Sequence, residues 1–347
     1  MDIALRLCAA AIGTIIVLAV LYDVMHTSLS AQGAGPLLRN TARLVWRGVH
    51  WLGRRWPGPT LRGMAGPSVL LAGFTLWALL LWIGWTLIFL ADAQGVLASD
   101  TRSPATWLER AYFVGFSITT LGIGDYVANG GLWRVLTILA AVSGFTVLTL
   151  SITFLLSLLP AVASKRATAN YLTALGGTPQ KLVAQQWRDG TCDSLLSHVP
   201  DLVAHIEGLA QQYAAYPLLH YYHGPERNSS LALRLAALGE CFLYFDSSAV
   251  RCPRTAHGLQ PLRHSVNSLL AALHGLYITP AQNAPPIPKL TDFPPDVLIS
   301  PEADIAAAAE AHDLERRLLL DYVEKEGWEW QDIYIDPQRR LMNQEKF

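Results

Sequence analysis

Apolar residues fill three long runs of this chain, Ala4 to Tyr22, Val69 to Ala91 and Leu132 to Leu159. Each reaches the roughly 20 residues that span a bilayer. Each is apolar around its whole circumference, unlike the one-sided stripe of a surface helix. The first run has only Arg6 ahead of its apolar stretch. No small-residue cleavage pattern closes it, since Tyr22, Asp23, Val24, Met25 and His26 follow. It reads as a retained anchor rather than a removed leader. Asp23 and His26 are expected simply to reach the interface.

A shorter apolar stretch, 105–118, lies between the second and third runs. Pro104 suits a first helical turn and Ser103 suits its cap. About 14 residues give roughly 21 Å of helix. That is too short to cross, so a re-entrant helix is expected, buried in protein or lining water. Its C-terminal end, partly negative, would favour a cation beside it. Asp92, Gln94, Ser99, Asp100, Arg102 and Ser103 ahead of it read as a polar turret.

Residues 40–56 follow a different pattern. Leu44, Val45, Val49 and Leu52 share one side, Arg43, Arg47, Arg54 and Arg55 flank it, and Trp46, Trp51 and Trp56 suit a headgroup layer. This predicts an interfacial helix, with anionic lipid as a candidate partner of those arginines. From Ala161 the chain becomes more polar. Helices are expected near 165–175, 178–188, 191–215, 229–246, 260–276, 302–326 and 328–334, with a Pro-rich loop at 279–301. The fold class is therefore an all-α membrane protein: three transmembrane helices, one re-entrant helix with its loop, and an α-helical cytoplasmic domain. The expected divisions are 1–30, 31–68, 69–160 and 161–347.

Composition agrees. Hydrophobic residues make up 52% of the chain and charged residues 15%, against about 25% charged in an ordinary soluble domain. Mean hydropathy is +0.28. A net charge of −1 gives no reason to expect nucleic acid. Cys8, Cys192, Cys241 and Cys252 form no CxxC spacing or paired framework. Arg39, Arg43, Arg47, Arg54, Arg55 and Arg62 crowd the segment between the first two runs. By the positive-inside rule that segment is cytoplasmic. The N-terminus is then outside, the C-terminus cytoplasmic, and 92–131 exterior, in the plasma (inner) membrane.

The exterior segment contains Thr119-Thr120-Leu121-Gly122-Ile123-Gly124-Asp125-Tyr126. A backbone that presents successive carbonyls to a narrow axis must enter left-handed conformations, which glycine alone adopts without steric cost. That accounts for Gly122 and Gly124. Thr120 can add a hydroxyl, and Asp125 can hydrogen-bond behind the loop. With Glu109 to Phe113, Gly130, Leu132 to Arg134 and Ser143 to Thr146, this run resembles the two-helix pore module of bacterial potassium channels. Asp125-Tyr126-Val127-Ala128 resembles the second pore loop of two-pore-domain potassium channels. The likeness covers Val69 to Pro160.

The resemblance implies a homotetrameric potassium-selective channel. Its filter would be Thr120, Leu121, Gly122, Ile123 and Gly124, with K+ at Thr120 to Ile123 as permeant ion and no cofactor. Thr119, Asp125, Tyr112 and Phe116 would support it. Gly144 would be the hinge of the inner helix, or else a point of close helix packing. The family has Tyr or Phe where this chain has Ile123, which is expected to pack on Tyr112, Phe113 or Phe116 and to loosen the choice of potassium over sodium. Phe116 stands where some bacterial relatives keep an acidic side chain. The alternatives are a non-selective cation channel and a membrane-anchored sensor with a vestigial pore.

Thr146, Thr149, Ser151, Thr153 and Ser157 would line a wet cavity or bond back to their own helix. Elsewhere, Gly176-Gly177-Thr178-Pro179 reads as a helix stop and restart. His220 and His223 read as aromatic core rather than metal ligands, and Asp193, Ser197 and His198 as a cap and a helix face. No catalytic constellation is apparent, so an enzyme is not expected. The cytoplasmic ligand or partner of 161–347 is not indicated.

Overall fold

The computed structural model describes residues 3–30, 33–55, 59–187, 191–224, 226–247, 249–250, 252–275, 277–288, 290, 293, 297, 300 and 304–336, with backbone only at His50, 52–55, 59–63 and Pro253. It divides into two compact units, Met1–Gly48 with Pro67–Leu158, and Val49–Gly66 with Leu159–Phe347.

α1 (Ile3–Leu29), α3 (Pro59–Phe89) and α5 (Gly131–Ala174), each with most of its length in the first unit, are long and apolar enough to cross a membrane. All three outrun the apolar stretches that predict them. α5 continues through Pro160, roughly 66 Å in all. The span and the separate helix expected at 165–175 are therefore one element. The short α4 (Trp107–Ile118) lies between α3 and α5.

The amphipathic α2 (Pro36–Arg55) begins earlier than the pattern predicts. The reason is Asp23, and here the sequence expectation is corrected. Asp23 is fully buried. Its Oδ1 accepts from the Leu37 N–H at 2.7 Å; its Oδ2 accepts from the Leu38 N–H at 3.1 Å and from Trp77 Nε1 at 2.8 Å. α1 thereby lends a carboxylate to the positive N-terminus of α2, satisfying donors that have no partner within that helix. Thr27 Oγ1 accepts from the Gly35 N–H beside it, at 2.9 Å.

The second unit is built around α9 (Leu231–Asp246), whose residues 231–245 are all buried. Around it pack α6 (Pro179–Ala184), α10 (Pro253–Gly258), α12 (Ile305–Ala311), α13 (Asp313–Lys325) and the 3-10 turn Trp330–Tyr334. α7 (Asp193–Ser197) leads into α8 (Val199–Ala215), which packs on α11 (Gln260–Leu273). The α7–α8 and α12–α13 breaks interrupt helices that the sequence pattern predicts as continuous.

A polar knot lies inside this unit. Lys165 Nζ, on the end of α5, meets Glu326 Oε1 and the Tyr222 carbonyl, both at 2.9 Å, while Ser230 Oγ donates to Glu326 Oε2 at 2.7 Å. Burial disfavours the Glu326 carboxylate, but the Lys165 ammonium and His223 outweigh it and hold the group well below the usual carboxylate range.

Candidate functional site

The loop expected to conduct ions is positioned by α4. The sequence places the cap of this helix at Ser103-Pro104, but the structure puts it at Thr106. Thr106 Oγ1 accepts from the Glu109 N–H, and Glu109 Oε2 accepts from the Thr106 N–H at 2.7 Å. This reciprocal box satisfies two donors that a Ser-Pro start would leave open. Pro104 instead bridges Leu97.

Arg110 is buried and anchors the start of α4. Its guanidinium donates to the carbonyls of Ala105, Phe89, Asp92 and Ala93 at 2.5–3.0 Å, which ties α4 to the end of α3. Trp82 Nε1 donates to the Ala111 carbonyl at 2.7 Å and Trp85 Nε1 to Ser143 Oγ at 2.9 Å. These indoles fix α3 against α4 and α5.

At its other end, α4 passes directly into the loop. The Leu121 and Gly122 N–H groups turn back to the Phe116 carbonyl at 2.9 and 3.4 Å, and the Thr120 N–H to the Ser117 carbonyl at 3.1 Å. The Phe116 and Ser117 carbonyls near the end of α4 are thus taken up by the loop. Backbone φ is +59° at Thr120, +58° at Gly122 and +90° at Gly124, and negative at Leu121 and Ile123. Alternation of this kind gathers N–H groups on one side of a chain and carbonyls on the other. The N–H groups of Thr120, Leu121 and Gly122 are bonded to α4. Among the described residues, none donates to the carbonyls of Thr120, Leu121, Gly122 or Ile123.

The Gly124 carbonyl differs, because Ser99 Oγ bonds it. The Ser99 N–H also donates to the Asp125 carbonyl at 2.8 Å. The expected polar turret is therefore partly a strand. β1 (Val96–Ala98) pairs antiparallel with β2 (Tyr126–Ala128), Leu97 opposite Val127, and holds the exit of the loop. Behind the loop Tyr112 lies near Asp125, and Tyr126 near Glu109. Phe116 stacks edge-on to Tyr112 and Phe113, each at 5.3 Å. Thr119 Oγ1 donates to the Gly115 carbonyl at 2.8 Å. Leu121 is 68% and Ile123 52% exposed in the single chain, so Ile123 is not enclosed against α4 as expected.

Gly144 has a packing role in this structure. A Cβ there would stand 2.0 Å from the Ile118 carbonyl oxygen, so α5 touches the last residue of α4 only because position 144 lacks a side chain. Thr146, Thr149, Thr153 and Ser157 donate to their own helix, four residues back, at 2.8–3.0 Å. One face of α5, including Leu132, Val135, Leu139, Val142 and Phe145, is exposed.

Arg39, Arg43 and Arg47 form an exposed ladder on α2 beside exposed Leu44 and Trp51. The side chains of Arg54, Arg55 and Trp56 lie outside the described residues. His220 and His223 are buried with ring centroids 5.8 Å apart, and His220 stacks on Tyr277 at 4.8 Å. Tyr171 bonds His198 at 3.0 Å, and Ser197 bonds the Ser194 carbonyl.

An uncharacterized membrane protein of Bacillus subtilis (strain 168), YdjJ, is 31% identical to this chain over 284 residues, covering 80% of this chain and 82% of YdjJ. A family model described as "Ion channel" matches residues 75–160. The chain belongs to this ion channel family. The matched segment of the channel takes in the second half of α3, all of α4, the loop and α5 as far as Pro160. The likeness to YdjJ is longer than that segment and reaches into the second unit. No solved structure matches the channel. Sequence reasoning finds the loop of the channel but misses Ser99, Arg110 and the Trp82 and Trp85 anchors. For Arg110 the signal was available: a lone cation within an apolar run needs several acceptors.

Proposed function

We propose that this channel conducts potassium selectively, as a homotetramer, through a ring of carbonyls from Thr120, Leu121, Gly122 and Ile123. The observation that carries the reading is the alternation of φ at Thr120, Gly122 and Gly124, beside four carbonyls to which no described residue donates. Four such loops around an axis would replace the water shell of a cation. One chain supplies one loop, so closure requires cyclic symmetry. The exposed apolar face of α5 and exposed Leu121 and Ile123 are the surfaces that neighbouring copies would cover.

In this reading potassium is the permeant ion and no cofactor takes part. The loop faces the exterior, the second unit is cytoplasmic, and α2 lies on the inner leaflet of the plasma membrane. Arg43 and Arg47 would then meet anionic headgroups. Gating runs through α5, by bending near Gly144 or by tilting as one rod from the second unit. Purified channel in liposomes tests the reading. Barium-blocked flux and a reversal potential that follows the potassium gradient are expected. Equal permeability to sodium would replace it with a non-selective cation channel, a reading that the exposed Ile123 favours. Absence of flux would leave a membrane-anchored sensor.

A further inference from the structure

Arg234 sits in the first turn of α9, where the helix dipole is already positive. It is fully buried. Its Nη1 donates to the Gly177 carbonyl, in the turn that follows α5. Its Nε and Nη2 have no hydrogen-bond partner among the described residues. A buried guanidinium without a carboxylate carries a heavy desolvation cost, and Arg does not escape by losing its proton. Burial lowers its pKa only to about 10, with the Arg227 charge acting in the same direction and Asp336 against it.

The two open positions are not arbitrary. Nε–H and Nη2–H lie on the same edge of the guanidinium, the fork that takes two oxygens of one oxyanion in parallel hydrogen bonds. Arg227 adds a second guanidinium. Its Nη2 is paired with Asp332 at 2.5 Å, its guanidinium lies over the Trp328 ring at 5.4 Å, its Nε has no hydrogen-bond partner among the described residues, and its side chain is 30% exposed. Lys181 pairs with Asp336, also at 2.5 Å. Among these described residues, Arg227 and Lys181 each have a carboxylate hydrogen-bonded to them and the buried fork has none.

We propose that this fork, with Arg227 on its solvent side, binds a phosphate-type oxyanion. Donors from two guanidiniums suit a tetrahedral anion with oxygens in several directions better than a carboxylate, which offers two oxygens in one plane. The site would lie where Gly177, α6, α9 and the Trp330–Tyr334 turn converge. It does not depend on which ion the pore selects.

Thermal unfolding of the full-length protein in detergent, at fixed ionic strength and pH, tests this. Inorganic phosphate is compared with chloride and acetate at low millimolar concentration, where general salting effects are small. Phosphate is expected to raise the midpoint saturably, by roughly 5 °C when present at about 100 times its Kd. Arg234→Gln abolishes the rise. Arg227→Gln, at a partly exposed position, keeps the fold and raises the phosphate requirement about tenfold. The same response to all three anions, or an unchanged phosphate response in Arg227→Gln, would overturn the site. Acetate as potent as phosphate would overturn the choice of ligand. If Arg234→Gln does not fold, Arg227→Gln decides.

Discussion

At the scale of single residues, Gly144 and Ile123 make opposite demands. Gly144 leaves room for a carbonyl, since a Cβ would fall 2.0 Å from the Ile118 oxygen. No rotamer relieves that clash, because both partners are backbone. Gly144→Ala is expected to push α5 off α4, abolish flux in liposomes and lower the unfolding midpoint. Wild-type flux would show that α5 does not need this contact. Ile123 lacks something instead: it brings bulk but no ring or hydroxyl, and is 52% exposed. Ile123→Tyr is expected to shift the reversal potential toward that of potassium when sodium is on the opposite side. No shift would mean that this side chain does not set selectivity.

The left-handed positions were partly legible in the sequence. Glycine at 122 and 124 announces positive φ, because other side chains resist it. Thr120 does not, since a β-branched residue is among the last expected there. Its φ of +59° is imposed by hydrogen bonds from the loop to Phe116 and Ser117, which no local pattern encodes.

At the scale of elements, the boundaries follow caps more than hydrophobicity. α4 starts at the Thr106–Glu109 box. Thr106→Ala is expected to cost about 1 kcal/mol of stability, read as a lower unfolding midpoint, while Glu109→Gln, which still offers an acceptor, stays close to wild type. A neutral Thr106→Ala would move the start of the helix back to Ser103-Pro104. α2 was misread in the same way, because its cap comes from Asp23, on a different helix. Contacts distant in sequence are what a pattern of periods cannot carry. The membrane spans were legible because apolar length alone decides them.

Another element junction titrates. Asp246 ends α9, Arg263 lies on α11 and His312 precedes α13. His312 Nε2 meets Asp246 Oδ2 at 3.0 Å, and Arg263 Nη2 meets the same oxygen at 2.5 Å. Hydrogen bonds to Asp246 and then Glu315 raise the His312 pKa to about 9, against burial and the Arg263 charge. A raised pKa gives stability that is complete below the ordinary histidine value and lost as pH climbs through about 9. Asp246 is held below its ordinary value despite burial, so its contribution is lost only in acid. The unfolding midpoint should therefore fall between pH 7 and pH 10, and His312→Gln should flatten that fall. An equal slope in the variant would locate the titration elsewhere.

At the scale of the whole molecule, a single chain leaves one face of α5 and the loop side chains exposed. Chemical cross-linking or native mass measurement of the purified channel is expected to give four chains of 38.0 kDa each. A dimer or a monomer would leave the carbonyls of Thr120 to Ile123 without a closed ring.

Asp23 has a consequence for how the chain is made. Trp77 follows it by 54 positions, so α1 meets the bilayer while its carboxylate still lacks that indole. An acidic group inside a membrane helix is tolerated when it finds polar partners. α1 is consequently an unfinished span at birth, completed first by the turn into α2 and then by the arrival of α3. The order of synthesis sets an order of assembly. A chain interrupted before Trp77 would present a carboxylate missing one of its three donors.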